Sequence, residues 1–347
     1  MTDPAPDLDG TVRDTVVIGA SAGGIQALRT IVRALPSPFE AAVLIVLHIG
    51  GHRSTLASIL RSSGPHPVID PRDGETVRPG HVYVAGPDRH MLLEYDRIRL
   101  SRGPRENHTR PAIDPLFRSA ALTRGDRVIG TLLTGRLDDG VAGLQAIKEC
   151  GGVVVVQDPS SAEEPEMPAS ALRNVAVDRV VALESIPAAL VDLVGQPASA
   201  PAAAAAGDVP VHLSREHAIA LGDGPVIEAL DSVGHVTNYS CPDCGGSLWQ
   251  IDAAGPPRFR CHTGHAYSMK ALLQAQSTDT EYALWSAVRA LQEKAMMLRQ
   301  AAGLERRLRE TDAAEGMERR ADEYETQASA LRALVGGPRT PSREPAV

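Results

Sequence analysis

Ser21 stands in the run Gly19-Ala20-Ser21-Ala22-Gly23, a G-x-S-x-G pattern that follows an apolar strand-like stretch and opens a helical one. That context is what a nucleophile on a strand-to-helix turn requires. Small flanking residues let the chain turn sharply, and the turn lifts a hydroxyl out at the carboxyl end of the strand. Unpaired N–H groups at the start of the following helix are then placed to meet a developing oxyanion. Two other readings compete. One is a purely structural Gly-rich turn. The other is a phosphate loop, which is disfavoured because a dinucleotide fingerprint places glycine where Ser21 stands.

A serine nucleophile needs a base, and the base needs an orienting group. His48 closes the apolar run AAVLIVLH and so falls at the C-terminal tip of a strand. Asp138 and Asp139 lie in a tight loop just past the end of RVIGTLLTGRLDDG, before another helical stretch. In a parallel sheet all such tips share one edge, the usual site edge. The serine, the histidine and an acid therefore converge. Either carboxylate fits as the acceptor for the His48 ring, and the other is free to cap the following helix.

A second constellation lies near the C-terminus. Cys241-Pro-Asp-Cys244-Gly-Gly is a knuckle, and Cys261-His262-Thr263-Gly264-His265 supplies a second half-site. Cys241, Cys244, Cys261 and His265 make four tetrahedral ligands suited to Zn²⁺. His262 is the alternative fourth ligand, but its side chain is expected to diverge from that of adjacent Cys261. Four protein ligands leave no open position, so the expected role is structural. No cofactor is expected for catalysis.

The elements that must position these residues are legible in the hydrophobic pattern. Continuous Val/Ile/Leu runs predict strands at 15–19, 42–47, 81–85, 91–93, 97–100, 128–133 and 152–157. They alternate with predicted helices at 24–35, 54–62, 115–123, 141–150 and 186–194. Runs without polar alternation suit strands buried on both faces. The order points to right-handed crossovers and an α/β fold: a doubly wound, mostly parallel, Rossmann-like sheet over residues 14–195. The stretch 91–100 is expected to fold as an antiparallel hairpin around Tyr95 and Asp96. Ahead of the sheet, residues 1–13 read as a flexible N-terminus.

Residues 196–233 read as a linker, because ASAPAAAAAGDVP cannot bury enough apolar surface to fold alone. A zinc-ribbon-like module is expected over 234–268. Beyond it, Leu284, Val288, Leu291, Ala295 and Leu298, then Met317, Ala321, Tyr324, Ala328, Leu331 and Val335, repeat at steps of three and four. That is an a/d seam, expected to form a helical hairpin or coiled coil over 269–335 and open to a coiled-coil partner or self-association, with one long solvated helix as the competing reading. Asp312 and Glu315 stand at capping-box spacing for the second helix. The segment 336–347 reads as a disordered tail.

The chain of 347 residues is 43% hydrophobic and 22% charged, with a formal net charge of −8. There is no overall basic excess to drive nonspecific binding to nucleic acid. The apolar run 41–47 is too short to cross a bilayer, and the N-terminus lacks a basic and apolar secretory signal. A cytoplasmic protein without membrane insertion is expected. Arg97, Arg99, Arg102, Arg105 and Arg110 form a locally basic stretch that would suit either an acidic partner helix or a solvated loop.

Several stretches together carry a resemblance: VVIGASAGG, IVLHI, VYVAGPDRHM, RPAIDPLF, LLTGRLDDGVAGL and VVVVQDPSSAEEPEMP. In this order they resemble the chemotaxis protein-glutamate methylesterase family known as CheB, over residues 14–195. The order Ser, His, Asp also differs from the Ser, Asp, His order of α/β-hydrolases. By position, Ser21 resembles the family nucleophile, His48 its base and Asp139 its acid, since Asp139 directly precedes the Gly-x-x-Gly helix start. The family oxyanion hole implies the backbone N–H groups of Ala22 and Arg136, the latter where the family usually has Met. The resemblance implies demethylation of glutamate methyl esters on a chemoreceptor or receptor-like signalling protein, with release of methanol. Studied members carry an N-terminal receiver domain. Only about a dozen residues precede the first strand here, so no receiver is expected within this sequence.

Other functions stay open. The same triad supports a glutamine deamidase acting on the same receptors. A noncatalytic signalling adaptor would use the zinc module and helices alone. A general esterase or lipase is disfavoured by the missing lid and the triad order.

Overall fold

The computed structural model describes residues 12–48, 54–198 and 210–335. The readings of a flexible N-terminus and a disordered tail, and most of the linker's small-residue run, lie outside the described residues. The chain divides into two units, through Leu272 and from Leu273 onward.

The first unit is built on strands β1 (Thr15–Ala20), β2 (Ala42–Leu47), β3 (Val68–Ile69), β4 (Val82–Val84), β7 (Val128–Leu132), β8 (Val153–Gln157) and β9 (Arg179–Val181). They form one seven-stranded sheet in the order β3-β4-β2-β1-β7-β8-β9. Every pairing in it is parallel. Every residue of β1 and β2 is buried, as their unbroken apolar runs require. From β1 the chain builds outward through β2, β4 and β3 on one side, then returns through the helix Ile113–Arg124 to place β7, β8 and β9 on the other, so the sheet order reverses beside β1. Ligands in open α/β sheets sit outside the strand ends at that point, and Ser21 follows β1 directly.

Helices α1 (Gly24–Ala34), α2 (Leu56–Arg61) and α6 (Ile186–Leu193) pack on one face, with Ile18, Ile45, Leu28, Ile31 and Leu190 in the contact. Helices α3 (Ile113–Arg124), α4 (Val141–Glu149) and α5 (Glu166–Asn174) cover the other, around Leu44, Phe117, Leu144 and Val156. Each such fully buried side chain contributes roughly 1.5–3 kcal/mol relative to exposure. The expected hairpin is present as β5 (His90–Glu94) paired antiparallel with β6 (Arg97–Ser101). It turns at Tyr95, where φ is 51°.

Two short edge strands, β3 and β9, and helix α5 were not expected from the sequence. The edge strands span two and three residues, too few to show a pattern. The linker reading also needs correction at its C-terminal part. Residues there form α7 (Val211–Leu221) and α8 (Val226–Asp231), with Leu213, Glu216, Ile219, Ala220 and Leu230 buried. The alanine-rich composition upstream masked this amphipathic stretch.

The four strands β10 (Gly234–Ser240), β11 (Ser247–Ile251), β12 (Arg258–Cys261) and β13 (Ala266–Ser268) form an antiparallel meander. It is tied to the α/β domain by a buried ion cluster. Arg118 on α3 meets Glu106 at 2.8 Å and Glu216 at 3.6 Å. Arg260 on β12 meets the same two carboxylates at 2.7 and 3.0 Å, and Arg258 meets Glu216 at 2.8 Å. Burial alone would raise the Glu216 carboxyl, but Arg258, Arg118 and Arg260 outweigh it and hold it well below the usual range. Its folded value lies below its unfolded value, so its contribution is complete above about pH 4.3 and is lost as pH falls through the acid range. Glu216→Ala leaves buried arginines uncompensated and should cost about 3–5 kcal/mol at neutral pH. Urea unfolding of the variant beside wild type measures this, and the gap between them should narrow as pH is lowered toward about 3.

The second unit holds all but the first turn of α9 (Met269–Leu308), and α10 (Thr311–Val335). The chain turns between them at Arg309, where φ is 65°. Val288, Ala295 and Ala302 are buried at steps of seven, and so are Ala314, Ala321 and Ala328. The seam is therefore mostly alanine, allowing close helix approach, while Leu284, Leu291 and Leu298 are only half-buried. Arg299 bridges to Asp322 and Glu325 across the pair, and Arg306 to Glu318. Helix α10 begins at Thr311, one residue ahead of the expected capping-box aspartate.

Candidate active site

Three strand ends bring Ser21, His48 and Asp139 together. Ser21 sits on the turn between β1 and α1, where Gly23 takes φ 76°. Gly19 also has a packing reason: a Cβ there would lie 2.4 Å from the Ile113 side chain. Gly24 is similarly enclosed, by Leu47 and Ala20, so α1 can approach the sheet closely behind the serine. His48 follows β2, and its backbone N–H still donates to Ala20 O at 3.2 Å, which fixes its height beside the serine turn.

His48 Nδ1 lies 3.1 Å from Ser21 Oγ, and His48 Nε2 lies 2.6 Å from Asp139 Oδ2. Because the carboxylate only accepts, Nε2 carries the proton and donates it. Nδ1 is thereby left as the acceptor facing the serine hydroxyl. His48 is partly exposed and Asp139 is buried.

Asp139 is the most heavily hydrogen-bonded member. Besides His48, its Oδ2 accepts the Ile113 N–H at 2.7 Å. Its Oδ1 accepts Asn107 Nδ2 at 3.0 Å and the Asp114 N–H at 3.3 Å. Burial would raise this carboxyl, but the His48 hydrogen bond and charge, the Ile113 amide and Asn107 hold it down at about 2. The Ile113 and Asp114 amides open α3, whose own N-cap, Ala112, has no side-chain acceptor. Asp139 supplies that acceptor from across the fold, and the helix terminus in turn favours its charge. Neighbouring Asp114 is pushed the other way, up, by its burial and by the charge on Asp139. Two carboxyls this close hold one negative charge most readily.

The Ala22 and Arg136 backbone N–H groups donate to no other group among the described residues, while Ser21 N–H is already used by Thr134 O at 2.9 Å. Ala22 and Arg136 are exposed beside the serine turn and on the β7 loop. That loop is held by Glu166 Oε2, which accepts the Leu137 N–H at 3.1 Å, and by an Arg136–Glu164 ion pair at 2.6 Å. Asp138 does not face the histidine; its Oδ1 accepts the Ser268 hydroxyl at 2.5 Å. Helix α4 has Gly140 at its N-cap and no side-chain cap, so neither acid caps it.

Asn107 was not foreseen. It lies in a polar loop ahead of the RPAIDPLF stretch, with φ 49°, and only the fold brings it to Asp139. The locally basic stretch is largely answered within the domain. Arg99 pairs with Glu94 at 2.6 Å and Asp73 at 3.3 Å, and Arg110 pairs with Asp88 at 2.6 Å.

In the meander, one donor atom each from Cys241, Cys244, Cys261 and His265 lies within 4.8 Å of the others. Cys244 Sγ and Cys261 Sγ are 3.7 Å apart, and His265 Nδ1 is 3.8 Å from Cys241 Sγ and 3.4 Å from Cys261 Sγ. Tetrahedral Zn–S bonds of about 2.3 Å and Zn–N bonds of about 2.0–2.1 Å space ligand atoms roughly 3.5–3.8 Å apart. The four donors therefore fit a tetrahedral ion. His262 is not part of this group. Its ring lies over Gly246, where a Cβ would be 1.9 Å from it.

A buried carboxylate, an imidazole and a serine hydroxyl in hydrogen-bonding sequence, beside amides unpaired among the described residues at a sheet switch point, form the arrangement that nucleophilic hydrolysis by a serine requires. The family model described as CheB methylesterase matches residues 16–190, and the chain belongs to that family. A relative in Leptospira interrogans, named for protein-glutamate methylesterase and protein-glutamine glutaminase, is 43% identical over 175 residues, covering 50% of this chain and 91% of its own. The protein-glutamate methylesterase/protein-glutamine glutaminase 2 of Anaeromyxobacter dehalogenans is 40% identical over 181 residues, covering 52% of this chain and 53% of its own. The chain thus spans about half the length of that second relative. The crystal structure of the Thermotoga maritima CheB methylesterase catalytic domain aligns with a TM-score of 0.50 at 33% identity, over 52% of this chain and 98% of that one. Among the described residues, no helix is long and apolar enough to cross a membrane.

Proposed function

We propose that this chain hydrolyses glutamate γ-methyl esters on chemoreceptor-like proteins, with Ser21 as nucleophile, His48 as base and Asp139 as the acid that orients it. The observation that carries this reading is the line from Asp139 through His48 to Ser21, with contacts of 2.6 and 3.1 Å. Ser21 Oγ attacks the ester carbonyl as His48 Nδ1 takes its proton. The Ala22 and Arg136 amides receive the oxyanion, and the charge on His48 is balanced by Asp139. His48 then returns the proton to the departing methanol. Water, deprotonated by the same nitrogen, hydrolyses the glutamyl-serine ester and restores the serine.

A second reading is favoured by the relatives' paired names: glutamine deamidation. It uses the same acyl-enzyme, with ammonia leaving in place of methanol. Methanol and ammonia released from matched receptor peptides measure the two activities side by side. A fluorophosphonate probe mapped to Ser21 separates both from the adaptor reading.

The Cys241, Cys244, Cys261 and His265 set is read as holding a structural Zn²⁺. One zinc per chain by metal analysis is expected, falling to none in Cys261→Ser. Retention of full zinc by that variant would remove Cys261 from the ligand set.

A further inference from the structure

We propose that the Cys3His module is a metal-dependent clamp on the triad acid, acting through Asn107 as a positioning residue. The proposal rests on the triad reading above. Asn107 is buried on the loop between β6 and α3. Its side-chain amide is engaged at both ends. Nδ2 donates to Asp139 Oδ1 at 3.0 Å and to Asp114 Oδ2 at 3.3 Å. Oδ1 accepts the Ser268 N–H of β13 at 2.9 Å.

The second contact decides the first. An amide has one accepting and one donating end. With a backbone N–H directed at one end, that end must be the oxygen, and the NH₂ must face the carboxylates. Without Ser268 the amide is free to turn over or swing, and Asp139 Oδ1 keeps only the long Asp114 amide contact of 3.3 Å.

The backbone reinforces the link. Asn107 N–H donates to Ala266 O at 2.8 Å, and Ala266 N–H donates to Arg105 O at 3.1 Å. Strand β13 thus adds to the loop as a short parallel bridge between Glu106 and Ala266. The same module strand end reaches Asp138 through the Ser268 hydroxyl, so both members of the Asp138–Asp139 pair are held from the module.

Two of the four ligands, Cys261 and His265, lie between these clamp residues in sequence. Arg260, which binds Glu106 at 2.7 Å, precedes Cys261; Ala266 follows His265. Cys261 N–H donates to His265 O at 2.9 Å, closing the turn between the two ligands. A module of this size has a small apolar core, around Leu248, Phe259, Tyr267 and Leu272. Domains below about 40 residues commonly need a metal or disulfide to hold their shape. Bound metal therefore fixes β13, β13 fixes the Asn107 amide, and the amide fixes Asp139 against His48.

The test uses the full-length chain loaded with zinc, and compares wild type, Asn107→Ala, Cys261→Ser and the double variant. Methanol release gives kcat and KM, fluorophosphonate labelling gives Ser21 reactivity, and proton NMR gives the downfield His48 Nε2–H signal. Asn107→Ala should lower kcat ~10–100-fold with KM within about twofold and zinc retained, and should shift the downfield proton. Cys261→Ser should lose zinc and fall by a similar factor. The double variant should be no slower than the slower single, because both act on one contact. Asn107→Asp, which keeps the side-chain shape but opposes Asp139 with an acceptor, should be slowed at least as far.

Wild-type kcat and an unmoved downfield proton in Asn107→Ala, or a double variant slowed by the product of the two singles, would overturn the clamp. A wild type that neither labels at Ser21 nor releases methanol would instead overturn the triad reading beneath it.

Discussion

Ser21→Ala is expected to turn over a glutamate methyl ester about 10⁴ to 10⁶-fold more slowly than wild type. On the proposed mechanism the side chain removed is the one that forms the acyl-enzyme, and among the described residues of the β7 loop no hydroxyl is free to take its place. Thr134, the nearest other hydroxyl on the β7 loop, donates to Ala22 O at 3.0 Å and accepts the Glu164 N–H at 2.8 Å, so it is committed to holding the loop. The fold should be indifferent to the change. Among the described residues Ser21 Oγ has one side-chain hydrogen-bond partner, His48, and the turn is set by glycines 19, 23 and 24. Steady-state methanol release beside a thermal melt checks both halves. Turnover within tenfold of wild type would remove Ser21 as nucleophile.

Asp139→Asn is expected to lower kcat by about 10⁴-fold, in line with the equivalent change in other triads. The reason is specific to this site. Four donors converge on the Asp139 carboxylate: His48 Nε2, the Ile113 and Asp114 amides, and Asn107 Nδ2. An asparagine must turn its NH₂ toward one pair of them. Facing His48, it forces the ring to carry its proton on Nδ1, where it opposes Ser21 and cannot accept. Facing Asn107, it sets donor against donor inside the fold. The kcat measurement should be joined by the downfield His48 proton, which is expected to vanish in the first arrangement. A small loss of kcat with that proton intact would show that the four-donor cradle does not govern the base.

The residues of the candidate site were legible because strand ends declare themselves. Apolar runs such as AVLIVL stop abruptly, and the residue after the run is forced to one edge of a parallel sheet. That logic places Ser21, His48 and the Asp138–Asp139 pair at one edge from the sequence alone. It left the two acids unresolved, because adjacent residues in a loop point according to the turn. The family resemblance selected Asp139, and the structure turns that side chain toward His48 while Asp138 faces Ser268.

What the sequence withheld depends on long-range contact. Asn107 reaches Asp139 across 32 residues, and its other end meets Ser268 across 161. No periodicity or local propensity encodes such pairs. The same holds for Glu216, which looks like an ordinary surface acid in a linker until three arginines from α3 and β12 enclose it. The Cys241, Cys244, Cys261 and His265 cluster was legible for the opposite reason: its members fall in two short segments, and glycines mark the turns. His262 was excluded by packing against Gly246, which the spacing alone does not reveal.

Hydrolysis of glutamate γ-methyl esters by the Asp139–His48–Ser21 line is open to direct assay. The most direct measurement is methanol release from a peptide bearing one such ester, followed together with appearance of the free glutamate. One methanol is expected for each glutamate formed, over many turnovers. Ser21 labelling by a fluorophosphonate with no methanol from any receptor-derived ester, or ammonia alone from the matched glutamine peptide, would contradict it.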